Sequence, residues 1–165
     1  MHTTSAVLVT LLAATLLVQP VSPKPSAIET AHVTVSPTLS PALLPSSSRP
    51  GAKLSLFVDV TPKAKMHLYA PGEKDGIPVA LTIDPNPAVR LSPAAFPPAE
   101  KFFFEPLKLT QLVFSKPFRI TQDVTIAARP AGALTITGSF RYQACDDSVC
   151  YLPKTVPIEW TVAGR

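Results

Sequence analysis

Twenty prolines divide this chain of 165 residues into short segments, and most of them follow apolar runs. Within the segments apolar and polar residues alternate with a period of two, which is typical of half-buried β-strands. No window of useful length carries apolar residues at helical spacing. The sequence therefore predicts an all-β domain of about eight or nine short strands, arranged as an antiparallel sandwich or barrel.

Two segments show the alternation most clearly. Residues 53–60 predict a strand whose inward face carries Leu54, Leu56, Val58 and Val60. Residues 134–142 predict another, whose inward face carries Leu134, Ile136, Gly138, Phe140 and Tyr142. A last strand is predicted over residues 156–162, with Trp160 as a core anchor.

Two regions are predicted as connections. Residues 37–51 are broken by prolines, which cannot donate to a strand ladder. Residues 100–106 contain three consecutive phenylalanines and end in a proline, and we predict a loop there. In an extended segment three adjacent rings point to both sides, so at least one of them can belong to the core.

The N-terminus predicts export. Residues 6–18 form an apolar run that is too short to span a bilayer comfortably, and small residues and prolines follow it, as in a signal peptide. We predict a signal peptide over residues 1–27, with an uncleaved anchor as the alternative. A tether over residues 28–31 and a domain over residues 32–165 follow. No second apolar segment is long enough to cross a membrane, so we expect a periplasmic or secreted mature chain without a span.

Composition and charge limit the kinds of partner that the chain can have. The chain is 46% hydrophobic and 16% charged, so it can bury a core, and its formal net charge is +4. Its basic residues are scattered rather than gathered into a stripe that could follow a phosphate backbone. We therefore expect no nucleic-acid partner, and the charge serves solubility.

Cys145 and Cys150 are the two cysteines of the chain. If one ends a strand and the other begins the next, a tight turn brings their Cα atoms to the roughly 4.4–6.8 Å that a disulfide needs. A loop this small adds only about 2 kcal/mol of stability. A metal site would need His67 or His32 as further ligands, and the sequence has no second cysteine pair, so no metal and no cofactor are predicted. A cysteine hydrolase would need a positioned histidine. Thiol–disulfide exchange and a structural disulfide both remain open.

Asp146 and Asp147 follow the first cysteine directly. Negative neighbours disfavour a thiolate and raise the thiol pKa. We predict that the reduced pair is not strongly activated and exchanges quickly only with a partner whose own cysteine has a low pKa. Alternatively, both aspartates only form the turn.

The stretch YQACDDSVCYLP, followed by KTVPIEW, resembles the N-terminal periplasmic domain of the thiol:disulfide interchange protein DsbD, over about residues 31–162. The resemblance implies an immunoglobulin-like antiparallel β-sandwich whose redox pair is Cys145 and Cys150. Cys150 would form the mixed disulfide with partners. A thioredoxin-like domain or membrane electron carrier would donate electrons. Periplasmic disulfide oxidoreductases, which isomerise disulfides or serve cytochrome c biogenesis, would accept them.

The resemblance also implies residues that line the site. Phe102, with Phe103 next to it, matches a cap loop whose aromatic ring covers the disulfide. Tyr69 and His67 match an aromatic segment beside the cysteines, although His67 stands where an aromatic residue is often found. Tyr142 precedes the cysteine turn and is a further candidate. These side chains could also be ordinary core residues.

One departure from the family affects the expected activity. The full-length family protein continues into a membrane carrier and a thioredoxin-like domain, whereas this sequence ends at Arg165. We expect the electron donor to be a separate protein. Any enzymatic role would be that of a component of a protein-disulfide reductase. The alternative is an extracytoplasmic interaction domain with an inert hairpin disulfide.

Overall fold

A computed structural model describes residues 27–40, 43–44, 50–128 and 132–164. The predicted signal peptide lies outside these residues except for residue 27. The strands are β1 (Ile28–Glu29), β2 (Val33–Ser40), β3 (Leu43–Leu44), β4 (Lys53–Pro62), β5 (His67–Tyr69), β6 (Ala80–Ile83), β7 (Val89–Leu91), β8 (Glu100–Phe104), β9 (Leu109–Phe114), β10 (Phe118–Ile126), β11 (Leu134–Tyr142), β12 (Ala144–Cys145) and β13 (Lys154–Gly164). Within the described ranges a single 3₁₀ turn, Glu105–Leu107, is the one helical element.

The strands form three sheets. One has five strands in the order β1-β2-β4-β10-β7, one has four in the order β3-β13-β11-β6, and one has four in the order β12-β5-β9-β8. The pairings are antiparallel, except that the short β3 runs parallel to β13. The prediction of an all-β, antiparallel immunoglobulin-like sandwich is confirmed.

One apolar core joins the first two sheets. The inward faces predicted for β4 and β11 are both buried, as their alternating burial shows. Trp160 on β13 is 2% exposed, and its indole Nε1 donates a hydrogen bond to the carbonyl of Phe57 across the sandwich, at 3.2 Å. The predicted core anchor is confirmed, because this side chain joins the two sheets by packing and by a hydrogen bond.

The third sheet has two different faces. Leu68 on β5, Phe114 on β9 and Ala144 on β12 belong to the main core. Since neighbouring residues on a strand point to opposite sides, the residues next to them face away from that core. This second face carries the cysteine pair and its surroundings.

The predicted connection at residues 37–51 was wrong at its start, because β2 continues to Ser40. Pro37 lies within the strand and opposes Val58 of β4. On the other side of β2, the short β1 pairs only with Thr34 and Val35. Pro37 therefore lies where β2 is an edge strand, and there its missing N–H removes no ladder hydrogen bond.

The predicted loop at residues 100–106 was also wrong. Residues 100–104 form β8, which pairs with β9 from Glu100 opposite Val113 to Phe104 opposite Leu109. Pro106 lies in the first turn of the 3₁₀ element, and Lys108 takes a left-handed conformation with φ 55°. The proline therefore ends the strand at the hairpin turn instead of excluding a strand before it.

The segment interpreted as a tether contains the short strand β1, in which Ile28 opposes Val35 and Glu29 opposes Thr34. The Thr30 hydroxyl donates to the carbonyl of Val33 at 2.8 Å. Ile28 and Glu29 therefore pair with β2 as part of the sheet.

Candidate functional site: the disulfide and the outer face of the third sheet

Cys145 and Cys150 form a disulfide, and their Cα atoms are 4.0 Å apart. Cys145 ends β12, and the two residues form an isolated antiparallel bridge. The two cysteines differ in accessibility. Cys145 is 1% exposed, whereas Cys150 is exposed. The exposed half of the disulfide is therefore Cys150.

Asp146 shapes the turn between the cysteines. Its Oδ1 accepts hydrogen bonds from the backbone N–H groups of Ser148 and Val149, each at 2.8 Å. Its Oδ2 accepts one from the Tyr151 hydroxyl at 2.8 Å. The N–H of Val149, then that of Ser148 and the Tyr151 hydroxyl, hold the pKa of Asp146 below its ordinary value. The turn-forming role considered for Asp146 is thus present in the structure. Asp147 next to it is exposed, and the influence of both aspartates on the thiols stays a prediction.

Strand register gathers the other candidates on the outer face of the third sheet. Cys145 opposes His67, and Tyr69 opposes Val113. Phe102 opposes Gln111. Paired residues of antiparallel strands share a face, as do residues two apart on one strand. We call this face, defined by Cys145, His67, Tyr69, Val113, Gln111 and Phe102, the site face.

Tyr69 connects the site face to the accessible sulfur. Its side chain is 3% exposed, and its Oη lies 3.2 Å from the Sγ of Cys150. The Nε2 of Gln111 donates a hydrogen bond to the same oxygen at 3.2 Å. Burial raises the pKa of Tyr69, so the phenol keeps its proton at neutral pH and can donate it in a hydrogen bond to sulfur.

Phe102 and Phe103 are placed differently, although they are adjacent. Phe102 is partly buried and packs against the cluster of Tyr69, Val113 and Cys145. Phe103 lies on the other side of β8 and is 54% exposed. Of the two cap candidates, the structure brings only Phe102 to the disulfide. Phe102 is therefore a strand residue of the β8–β9 hairpin rather than part of a loop, and its role as a cap stays a prediction.

His67 lies beneath this ring. It is 2% exposed, and its ring centroid is 4.4 Å from that of Phe102. Burial lowers the pKa of His67, and the carboxylates of Asp147 and Asp146 act in the opposite direction. The imidazole is therefore neutral at neutral pH.

A short loop after Tyr69 supports its ring. Glu73 accepts hydrogen bonds from the N–H groups of Lys74 and Asp75 through Oε1, and from the N–H of Leu112 on β9 through Oε2. Burial acts to raise the pKa of Glu73, but these backbone N–H groups outweigh it and the net shift is downward. Gly76 leaves space that the Tyr69 ring fills, because a Cβ there would overlap three ring carbons.

Tyr142 is not part of the site face. Its side chain is 0% exposed and belongs to the main core. Its hydroxyl lies 2.9 Å from the Oγ1 of Thr30, and its ring stacks on Phe140 at 5.7 Å. The structure thus places this candidate in the packing of the main core.

Sequence reasoning missed three residues that build the site: Gln111, Glu73 and Gly76. Gln111 carried a detectable signal, because it lies two residues from the apolar Val113 and therefore shares its face of the strand. A polar side chain that is buried at such a position is expected to have a hydrogen-bond partner. Glu73 and Gly76 carried none, because their roles depend on how the loop folds back onto β9 and onto Tyr69.

Within the described residues, no group of three or more His, Cys, Asp or Glu side chains is arranged to hold a metal ion. Over the same residues, the structure has no helix of the length and apolarity that a bilayer crossing requires.

The sequence of the chain matches a known family model. The model of the thiol:disulfide interchange protein DsbD, N-terminal, matches residues 40–160. The chain belongs to the DsbD N-terminal domain family. The matched residues include both cysteines and every residue of the site face. No curated protein matches this chain in sequence.

One solved structure shares the fold, and two others are weaker matches. The N-terminal periplasmic domain of ScsB from Proteus mirabilis superimposes with a TM-score of 0.56 at 10% identity, over 84% of this chain and 50% of that chain. This chain thus spans half the length of the ScsB structure. The reduced DsbD N-terminal domain of Neisseria meningitidis matches with a TM-score of 0.41 at 20% identity, over 74% of this chain and 90% of that chain. The yeast GGA1 GAE domain matches with a TM-score of 0.41 at 11% identity, over 80% and 94%.

Proposed function

We propose that this DsbD N-terminal domain is an extracytoplasmic thiol–disulfide exchange module that relays electrons through Cys145 and Cys150. A thioredoxin-like domain or a membrane electron carrier donates the electrons, and a periplasmic disulfide oxidoreductase accepts them. The observation that carries the proposal is the asymmetry of the pair: Cys145 is 1% exposed, and Cys150 is exposed with a phenol hydroxyl 3.2 Å from its sulfur.

This asymmetry suits directed exchange. A donor thiolate attacks the accessible Cys150 sulfur, the bond between the two cysteines breaks, and the Cys145 sulfur leaves with the electron pair. Tyr69 is placed to donate a hydrogen bond to Cys150 when this sulfur is a thiolate in the reduced state. A hydrogen bond to the charged form favours that form.

The surroundings of Cys150 also suit a protein partner. Val149 is 50% exposed and Leu152 is 85% exposed, and both are within two positions of Cys150. Exposed apolar side chains beside a reactive sulfur are contacts that a docking partner can cover. A small-molecule substrate would instead need a concave pocket.

Trapping of mixed disulfides tests the proposal. The bait is a thioredoxin-fold protein whose second active-site cysteine has been replaced, so that its mixed disulfides persist. Its cysteine is first activated as a mixed disulfide with a nitrobenzoate thiol. The Cys145→Ser variant, which keeps the exposed cysteine, should couple to this bait rapidly. The matched Cys150→Ser variant, which keeps the buried cysteine, should couple far more slowly.

The structural alternative makes a different prediction for the same variants. If the disulfide is only a staple, each serine variant loses about 2 kcal/mol of unfolding free energy, and neither couples to the bait faster than an unfolded control peptide. Coupling at equal rates by both variants in their folded state would also contradict the proposal, because it would remove the distinction between the two sulfurs.

A further inference from the structure

The site face contains a buried nitrogen without a partner. The Nε2 of His67 makes no hydrogen bond with any described residue, and the whole side chain is 2% exposed. Buried polar atoms in native proteins are nearly always hydrogen-bonded, and an exception calls for an explanation. Packing alone does not explain it, because a phenylalanine would fill the same space beneath Phe102 without an unpaired nitrogen.

The strand register identifies the group that can become its partner. His67 is the direct cross-strand partner of Cys145. Side chains of such pairs lie on one face with Cβ atoms about 4.5–5.5 Å apart. In the disulfide state the Cys145 sulfur is bonded to Cys150. Reduction breaks this bond and leaves the thiol free to rotate about its Cα–Cβ bond toward the imidazole.

We propose that His67 accepts and returns the proton of the Cys145 thiol during exchange. The inference rests on the proposed function, since it assigns a role within that reaction. It concerns the buried sulfur, which solvent hydroxide and buffer bases reach poorly. The exposed Cys150 sulfur does not need such a group.

Oxidation of the cysteine pair by an acceptor disulfide takes two successive thiol–disulfide exchanges. The Cys150 thiolate attacks the acceptor disulfide, and a mixed disulfide forms while the first acceptor sulfur leaves as a thiolate. His67 Nε2 takes the proton of Cys145, whose sulfur attacks the Cys150 sulfur. The bond between Cys150 and the acceptor breaks, and the second acceptor sulfur leaves with the electron pair. In the reverse direction the imidazolium returns its proton to Cys145 as this sulfur leaves.

The charges around His67 suit both halves of this cycle. Because the ring is buried and neutral, its unprotonated nitrogen is available as a base. Asp147 and Asp146 act on it as negative charges and stabilise the imidazolium that forms briefly. The other titratable groups on this face are the Tyr69 phenol, which stays protonated, and Glu100, whose carboxylate pairs with Lys116 at 3.0 Å.

A two-phase thiol assay isolates the Cys145 step. The fully reduced protein is mixed, in excess, with dithiobis(nitrobenzoate), whose released thiolate is coloured. The first phase reports attack by Cys150. The second, first-order phase reports attack by Cys145 on the mixed disulfide. General acid–base groups contribute about 10²–10⁴-fold in rate, so His67→Phe should slow the second phase at neutral pH by at least about 100-fold and leave the first phase unchanged.

The pH profile distinguishes proton transfer from packing. In the wild-type protein the second phase should fall as the pH drops through the pKa of the imidazole. In His67→Phe it should instead follow the hydroxide concentration, at about tenfold per pH unit. His67→Gln provides a second variant should the phenylalanine variant not fold, since glutamine can hydrogen-bond but cannot take the proton, and it should be equally slow.

His32→Phe is the matched control. His32 is also buried, at 8% exposed, with an unpartnered Nδ1 and a ring 4.4 Å from an aromatic neighbour, Tyr151, but it lies outside the site face. Its replacement should leave the second phase and its pH profile unchanged. A folded His67→Phe variant with the wild-type second phase and pH profile would overturn the role of His67. A wild-type protein without a second phase would instead overturn the proposed exchange function itself.

Discussion

The Oη of Tyr69 lies 3.2 Å from the Sγ of Cys150, which links a buried side chain on β5 to the accessible half of the disulfide. The same oxygen accepts a hydrogen bond from Gln111 on β9. Two strands of the third sheet therefore fix the position of a hydroxyl at the sulfur of the exposed cysteine. The Cys150 sulfur therefore contacts a hydroxyl whose position is fixed by a hydrogen bond from Gln111.

Replacement of Tyr69 by phenylalanine should make the Cys150 thiol less acidic. The variant loses the hydrogen bond to the thiolate, and such a bond favours the charged form. We expect the Cys150 pKa to rise by up to about one unit, which corresponds to about 1.4 kcal/mol. Thiolate absorbance against pH, measured in a Cys145→Ala background, gives the value.

Tyr142→Phe is the control for this measurement. It also removes a buried hydroxyl, but one that lies beside Thr30 in the main core. We expect it to lower the unfolding free energy by about 1 kcal/mol and leave the Cys150 pKa unchanged. Equal pKa shifts in both variants would show that the Tyr69 hydroxyl has no specific effect on the sulfur.

Phe102→Ala should expose the disulfide to small reductants. The ring packs over Cys145 and its neighbours, so its removal opens the site face to solvent. We expect dithiothreitol to reduce the variant several-fold faster than the wild-type protein, with a loss of about 1–2 kcal/mol in unfolding free energy. Phe103→Ala, which removes a ring that is 54% exposed, should leave the reduction rate unchanged. A faster reduction of Phe103→Ala than of Phe102→Ala would contradict the assignment of the cap.

Gly76→Ala should displace Tyr69. A methyl group at this position overlaps the tyrosine ring, and such overpacking typically destabilises a protein by about 1–3 kcal/mol. We expect this loss, together with a Cys150 pKa shifted in the same direction as in Tyr69→Phe. Gly132→Ala is the control, because the space around that Cβ is open, and it should be close to neutral in both measurements.

The carboxylate of Asp146 should make the stability of the protein depend on pH in the acidic range. A carboxyl whose folded-state pKa is lowered stabilises the fold above its unfolded-state pKa of about 3.9. This contribution is lost as the pH falls through the lower, folded-state value. Asp146→Asn should therefore be less stable than the wild-type protein at neutral pH, and the difference should shrink in acid.

Thermal unfolding followed from about pH 6 to about pH 2 measures this dependence. Asp147→Asn, a change at the exposed neighbouring position, should show the wild-type acid profile. If the difference between Asp146→Asn and the wild-type protein stayed constant over the whole range, the carboxylate of Asp146 would not be the group that holds the turn.

The sequence was sufficient to predict the strands in which one face is buried and the other solvated. In β4 and β11 alternation identified both the strands and their inward residues. The same alternation places Tyr142 in one row with Ile136 and Phe140, which explains why it belongs to the core rather than to the site. The family resemblance, rather than any periodicity, indicated Tyr69, His67 and Phe102.

The rest depends on contacts between distant segments. All three residues of β5 are buried. The core covers Leu68, whereas the Phe102 ring packs on His67 and the cysteine turn contacts Tyr69, so the strand shows no alternation. Glu100-Lys101-Phe102-Phe103-Phe104 does not alternate either, and its pairing with β9 decides which ring reaches the disulfide. The hydrophobic pattern specifies register strongly only where one face of a strand is buried and the other is not, and β8 has no such pattern.

The most direct test of the account is the reduction potential of the Cys145–Cys150 pair, obtained by equilibrating the purified domain in buffers of defined thiol and disulfide ratio. An exchanging pair should have a potential at or above about −250 mV, within the range of known exchange proteins. A potential below about −300 mV is typical of a structural disulfide and would contradict the assignment of this domain as an electron relay.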